Sequence, residues 1–155
     1  MLSQALTLHL TNSEKYFNRS TDCLTQDDSS YRPTEDQMTV AQHVAHVGMT
    51  IDWFLEGAFG DGFDMDFEAH LVSLQEITSL SEARASLAAS FDKAREAIAS
   101  KSREELMAPL PEGPVMGGAP LSGIIHAMDE HAAHHRGALT VYSRMLGKTP
   151  AMPYM

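Results

Sequence analysis

The stretch LSGIIHAMDEHAAHHRGALTVYSRMLGKTP, residues 121–150, contains four of the eight histidines in the chain: His126, His131, His134 and His135. Ile124, Met128, Leu139, Tyr142 and Met145 follow the three- and four-residue spacing of an apolar helical stripe. This pattern predicts one long helix from about residue 121 to 146, stopped by Gly147 with Pro150 beyond it. His131 and His135 fall on the same stripe, so both imidazoles are expected to face the interior. Four residues apart on a helix, they stand about 6 Å apart along the axis and project in parallel, a spacing by which paired histidines grip one metal. His126 and His134 are rotated away, toward the face carrying Glu130 and Gly137. Two imidazoles buried without partners are costly, because each needs hydrogen bonds and neither charges easily in a low dielectric. A metal removes that cost; hydrogen bonds to backbone or carboxylates at a partly open helix face are the alternative.

The stretch MTVAQHVAHVGMTIDWFLEGAFG, residues 38–60, has the same helical character. Thr39 and Gln42 have capping-box spacing, and Val40, Val44, Val47, Ile51, Phe54, Leu55 and Ala58 form a stripe that runs out near Gly57–Gly60. A catalytic zinc-type site commonly uses three protein ligands and leaves a position open. His43 and His46 are the candidates for the third. Periodicity slightly prefers His43, nearer the Val40/Val47 stripe, over His46, on the flank beside Thr50 and Trp53; spacing alone leaves both open.

Residues 2–25, with Leu2, Leu6, Leu10, Tyr16, Phe17 and Leu24, suggest a further long helix, broken by QDDSSYRPTED at 26–36. The segment SEARASLAASFDKAREAIASKSREEL, residues 81–106, predicts another, with Ser81 as its N-cap and Leu87, Phe91, Ala94 and Ile98 on one face. Between them, LVSLQEI at 71–77 reads as a short helix or an extended piece. The connection APLPEGPVMGGAP at 108–120 contains GPVMGG, a surface turn that lacks the lysine of a phosphate loop. Four amphipathic helices and few strand candidates predict an all-α four-helix bundle, a single domain over residues 1–155, with long connections that permit a topology other than up-and-down.

A formal charge of −10, from 21 acidic against 11 basic residues, sets an unfavourable field for phosphate backbones and argues against a nucleic-acid partner. No apolar run approaches the roughly 20 residues of a membrane span, and the first residues do not resemble a signal peptide, so a cytoplasmic location is expected. Cys23 is the only cysteine; it forms no internal disulfide and suits a small apolar role better than a reactive one. Trp53, Phe54 and Tyr142 are candidates to border a pocket, with core packing the safer reading. The C-terminal PAMPYM is expected to fold back on the bundle or to join a dimer contact.

The blocks MTVAQHVAHVGMTIDWF and LSGIIHAMDEHAAHHRGALTVYSRMLGKTP, the second with its H-x-x-H-H-R-G core, resemble the DinB-like family of metal-binding four-helix bundles, which includes the YfiT-like proteins. Residue by residue, the resemblance places the metal ligands on His46, His131 and His135. His43 then stands where the family pattern has an apolar core residue, as a supporting neighbour of the ligands or a core-edge histidine. His134 matches a position that is not normally a ligand and is read as a hydrogen-bonding flank. Arg136 is read first as an interhelical salt bridge and second as a site for an anionic substrate group. Gly137 is read as a close helix contact. Ala138 departs from the glutamine the family often has.

The family further implies zinc or nickel, a homodimer, and transfer of low-molecular-weight thiols such as bacillithiol to electrophiles in stress or xenobiotic handling, with mycothiol-dependent isomerases among its members. Three neutral imidazoles leave a divalent ion incompletely coordinated, able to hold a thiolate or to lower the pKa of water to about 7. The alternatives are therefore a metal-dependent hydrolase and a non-catalytic metal or small-ligand binding protein. No general acid or base beyond the ligands is identified.

Overall fold

A computed structural model describes residues 1–155 and contains six α-helices: α1 (Leu2–Thr21), α2 (Val40–Phe59), α3 (Phe67–Gln75), α4 (Leu80–Ala99), α5 (Arg103–Met107) and α6 (Gly123–Met145). The only extended pairing is an isolated bridge between Pro109 and Pro120. The four long helices are all amphipathic and bury their apolar faces together, with Leu10, Phe17, Ile51, Leu87, Phe91 and Ile124 at the centre. α1 and α2 each pack against both α4 and α6, so the bundle has α1 and α2 on one diagonal and α4 and α6 on the other.

Pair contacts give the directions. Glu14 meets Arg95 while Thr21 meets Arg84, so α1 and α4 are antiparallel. His9 meets Asp129 at one end of α1 and Cys23 meets Ser143 beyond the other, so α1 and α6 are parallel. Gly48 lies on Leu87 and Asp52 on Ser90, so α2 and α4 are parallel. α2 therefore runs antiparallel to α6. This up-down-down-up arrangement needs two connections across a diagonal, which is what the long segments after α1 and α4 supply.

The first crossover is tied down by polar groups. Thr25 N–H donates to Asp28 Oδ2 at 2.6 Å, Lys148 pairs with the same carboxylate, and Ser29 Oγ accepts from Leu80 N–H at 3.1 Å. Arg84 donates to the Thr21 carbonyl at 2.7 Å, joining the Leu24 N–H on that acceptor at the end of α1. The expected capping box at Thr39 and Gln42 starts α2, with Gln42 N–H on Thr39 Oγ1 at 3.2 Å and Thr39 N–H on Gln42 Oε1 at 2.9 Å. α6 ends in a Schellman motif at Gly147 (φ 74°), where Lys148 N–H reaches the Ser143 carbonyl and Gly147 N–H the Arg144 carbonyl.

The structure corrects several expectations. The helix anticipated over 81–106 begins earlier, capped by Ser79 rather than Ser81, and stops at Ala99; Ser102 caps a separate short helix, α5, through its own box with Glu105. The Ser102 cap and its Glu105 partner outcompete helix continuation there. Met145, assigned to the buried stripe, is exposed in the last turn of α6. LVSLQEI lies mainly in α3. The C-terminal tail folds back on α1: Arg19 and Ser20 donate to the Met152 and Ala151 carbonyls, and the rings of Tyr16 and Tyr154 meet edge to face at 5.0 Å.

Gly137, read as a close helix contact, faces open space, whereas a Cβ on Gly48 would sit 3.2 Å from Leu87 Cα. Helix approach is therefore set at Gly48. Gly137→Ala is expected to stabilise the fold by about 0.5–1 kcal/mol through helix propensity. Gly48→Val is expected to destabilise it by about 1–3 kcal/mol through overpacking. Chemical denaturation of both variants checks the pair.

Candidate metal centre

The antiparallel seam between α2 and α6 brings histidines from both helices together. His46, three residues after His43, faces His131 and His135, and one nitrogen from each of His46, His131 and His135 lies within 4.8 Å of the other two. Ring centroids are 4.9 Å apart for His46–His131, 4.9 Å for His46–His135 and 4.5 Å for His131–His135. His135 is buried and the other two are half-buried. His131 Nε2 is buried with no hydrogen-bond partner.

An unpaired buried acceptor or donor costs about 1–3 kcal/mol. Hydrogen bonding to backbone or carboxylate, the alternative to a metal, does not relieve that nitrogen, since no protein donor or acceptor reaches it. Burial, followed by the proximity of His46 and His134, pushes His131 down to about 4. Burial and then the neighbouring histidines push His135 down to about 2, and burial with His46 and His134 pushes His43 down to about 4. His46 is lowered by burial and then by His134. Neutral imidazoles with converging lone pairs fit a divalent transition ion, and the orphaned His131 nitrogen fits it directly.

The sequence profile of the DinB superfamily matches residues 9–139. The chain belongs to the DinB superfamily. The crystal structure of a DinB-like protein from Bacillus subtilis, YjoA, has a similar fold, with a TM-score of 0.69 at 18% identity, covering 97% of this chain and 96% of that one. No curated protein matches the sequence significantly.

In this DinB-superfamily chain, His43 also joins the cluster: its Nδ1 lies 2.7 Å from His135 Nδ1 and its Nε2 3.3 Å from the Tyr142 hydroxyl. His134 is exposed and makes no hydrogen bond; its ring rests edge-on against His135 at 5.0 Å, so its flank reading holds for position and fails for bonding. His126 is exposed. Arg136 is partly buried but forms no ion pair, which overturns the interhelical salt bridge; the bundle's arginine bridge is Arg95 with Glu14, at 2.6 Å. Cys23 is half-buried, with its thiol 3.4 Å from Ser143 Oγ.

A cavity of about 460 Å³ opens at the triad, with His46 and His131 in its wall. Met38, just before α2, and Met49, Trp53 and Phe54 of α2 form one side, and Phe67, Leu71 and Leu74 of α3 cover it. Of the three aromatic residues expected to border a pocket, Trp53 and Phe54 line this one and Tyr142 does not, and the α3 residues were not among the candidates. The usable signal was the apolar spacing of Phe67, Leu71 and Leu74, obscured by the glycine- and aspartate-rich run before it. A larger cavity of about 680 Å³, bordered by Asp52, Glu56 and Lys93, shares Met49, Trp53 and His70 with the first but has no triad residue in its wall. The smaller cavity is therefore the candidate substrate site.

The depressed histidine pKa values set the acid sensitivity of the metal-free protein. Unfolded histidines bind protons below their ordinary value of 6.5, whereas folded His43 and His131 do so only near 4. Stability is thus fully present above about pH 6.5 and falls as pH drops toward 4. Thermal unfolding followed from pH 8 to pH 4 should show this loss, with a shallower slope in His131→Ala.

Proposed function

We propose that this protein is a metal-dependent enzyme in which His46, His131 and His135 hold a divalent transition ion, zinc or nickel, and that it transfers a low-molecular-weight thiol to an apolar electrophile. The observation that carries this reading is the convergence of three neutral imidazoles, one with an orphaned nitrogen, at the wall of an apolar cavity. A bound ion of this kind supplies Lewis acidity and a nucleophile at neutral pH, either a thiolate or hydroxide.

The chain's own residues define the rest. Trp53, Phe54 and Phe67 offer aromatic surface to a substrate and exclude water beside the triad. No lysine or arginine lines this cavity, which favours an uncharged apolar electrophile over an anionic one. The open cavity favours a working site over a closed storage site. Hydrolysis is the second reading, since the same ligand set activates water as readily as a thiol. A homodimer accompanies the proposal by family resemblance, and a cytoplasmic setting by the sequence expectation; no helix of the chain is long and apolar enough to cross a membrane.

Elemental analysis of protein purified without a metal-affinity tag tests the site. Close to one transition ion per chain is expected, lost in His131→Ala and His135→Ala. Metal-free protein that stays folded and takes up none on titration overturns the reading. Zinc at a hundredfold excess over its Kd should stabilise the wild type by about 2.7 kcal/mol and leave His131→Ala unchanged.

Conjugation of a thiol to a dinitrohalobenzene should require both metal and His46. Ester hydrolysis without thiol turnover would select the hydrolase instead. Trp53→Ala is expected to raise KM for the electrophile while metal content stays at the wild-type level.

A further inference from the structure

His43 occupies a position where the DinB-like pattern is apolar, and it and His135 are the two buried histidines of the chain. A buried imidazole in a core-facing position must have its ring nitrogens satisfied. The contacts of His43 show how this is done and decide where its proton sits.

The Tyr142 hydroxyl lies 3.2 Å from the Met38 carbonyl oxygen and 3.2 Å from Gln37 Oε1. A backbone carbonyl only accepts, so the single hydroxyl proton goes to that side. Only lone pairs of the Tyr142 oxygen then remain for His43 Nε2, 3.3 Å away, so Nε2 carries the proton and donates. A neutral imidazole has one N–H, so His43 Nδ1 is bare. The 2.7 Å contact between the two Nδ1 atoms needs one proton, which must come from His135. Neutral His135, with its proton on Nδ1, has a bare Nε2.

The reverse assignment fails at its far end. If Tyr142 donated to His43, its oxygen would face both carbonyl oxygens with no proton between them, and His135 would carry its proton on Nε2, unfit to ligate.

We infer that His43 is a positioning residue: the chain from the Met38 carbonyl through Tyr142 and His43 locks His135 as the Nδ1–H tautomer, presenting its Nε2 lone pair to the triad. The lock is a property of the metal-free protein; its consequence for affinity rests on the metal reading above. Orientation of a ligating histidine through its second nitrogen is a general determinant of metal affinity, and here another histidine and a tyrosine perform it in place of a carboxylate. Tyr142, read from sequence as a core or pocket residue, is the group that sets the direction of the chain.

Nitrogen-15 shifts of the metal-free wild type near neutral pH read the tautomers directly. A protonated Nδ1 and bare Nε2 on His135, with the opposite pattern on His43, are expected; reversed or averaged shifts overturn the inference. Zinc competition against a chromophoric chelator provides the second readout. Tyr142→Phe, which keeps the ring, and His43→Leu, which restores an apolar residue, should each weaken zinc binding by about 10–100-fold. His43→Asn, whose side-chain carbonyl can accept from His135, should recover part of the loss seen in His43→Leu. Unchanged zinc affinity in both Tyr142→Phe and His43→Leu overturns the inference. A wild type that binds no zinc sinks the metal reading alone, because the shifts still decide the tautomer.

Discussion

The antiparallel packing of α2 on α6 is the contact on which the rest of the site depends. Neither helix carries three converging imidazoles: α2 supplies His43 and His46, and α6 supplies His131 and His135. The seam holds because both helices bury continuous apolar faces around these polar residues, with Val40, Val44 and Val47 on one side and Met128, Ala132 and Leu139 on the other. On its other flank α2 is held close to α4 through Gly48, so the register that brings His46 opposite His131 is supported from both sides.

Burial gives the cluster its chemistry. In water an imidazole near its ordinary pKa of 6.5 is partly charged at neutral pH, but His43, His131 and His135 are held neutral by desolvation and by one another. Neutral rings are nucleophilic at nitrogen; nitrogens of His46, His131 and His135 converge, and His131 Nε2 is left without a protein partner. The cavity beside them is apolar and roofed by α3, so a reacting group there would be partly shielded from water. Its wall carries no lysine or arginine, although acidic residues border the neighbouring cavity.

Much of the fold was legible because amphipathic spacing is local information. The apolar stripes of α2 and α6, the Thr39 cap and the stop at Gly147 all follow from residues within a few positions of one another. The helix expected over 81–106 was longer than the observed α4 because Ser100 and Ser102 lie in a helix-compatible composition, and the decision to break there was made by a cap and its glutamate partner. Gly137 was misjudged for a related reason. A glycine on a helix signals close approach only if a neighbour lies over it, and the neighbour belongs to a distant part of the chain.

By itself the sequence determined the all-α class, the helix-forming segments, the histidine pair on α6 and, through two motif blocks, membership of the DinB superfamily. Periodicity and motif spacing encode these because they depend on neighbours along one helix. The tertiary structure decided the diagonal topology, the partner-free state of Arg136, the α3 roof and the place of His43, because each depends on which faces meet. Spacing on α2 left His43 and His46 as rivals, separated only by resemblance; packing against α6 assembles both, with His46 in the triad and His43 behind His135, bonded to Tyr142.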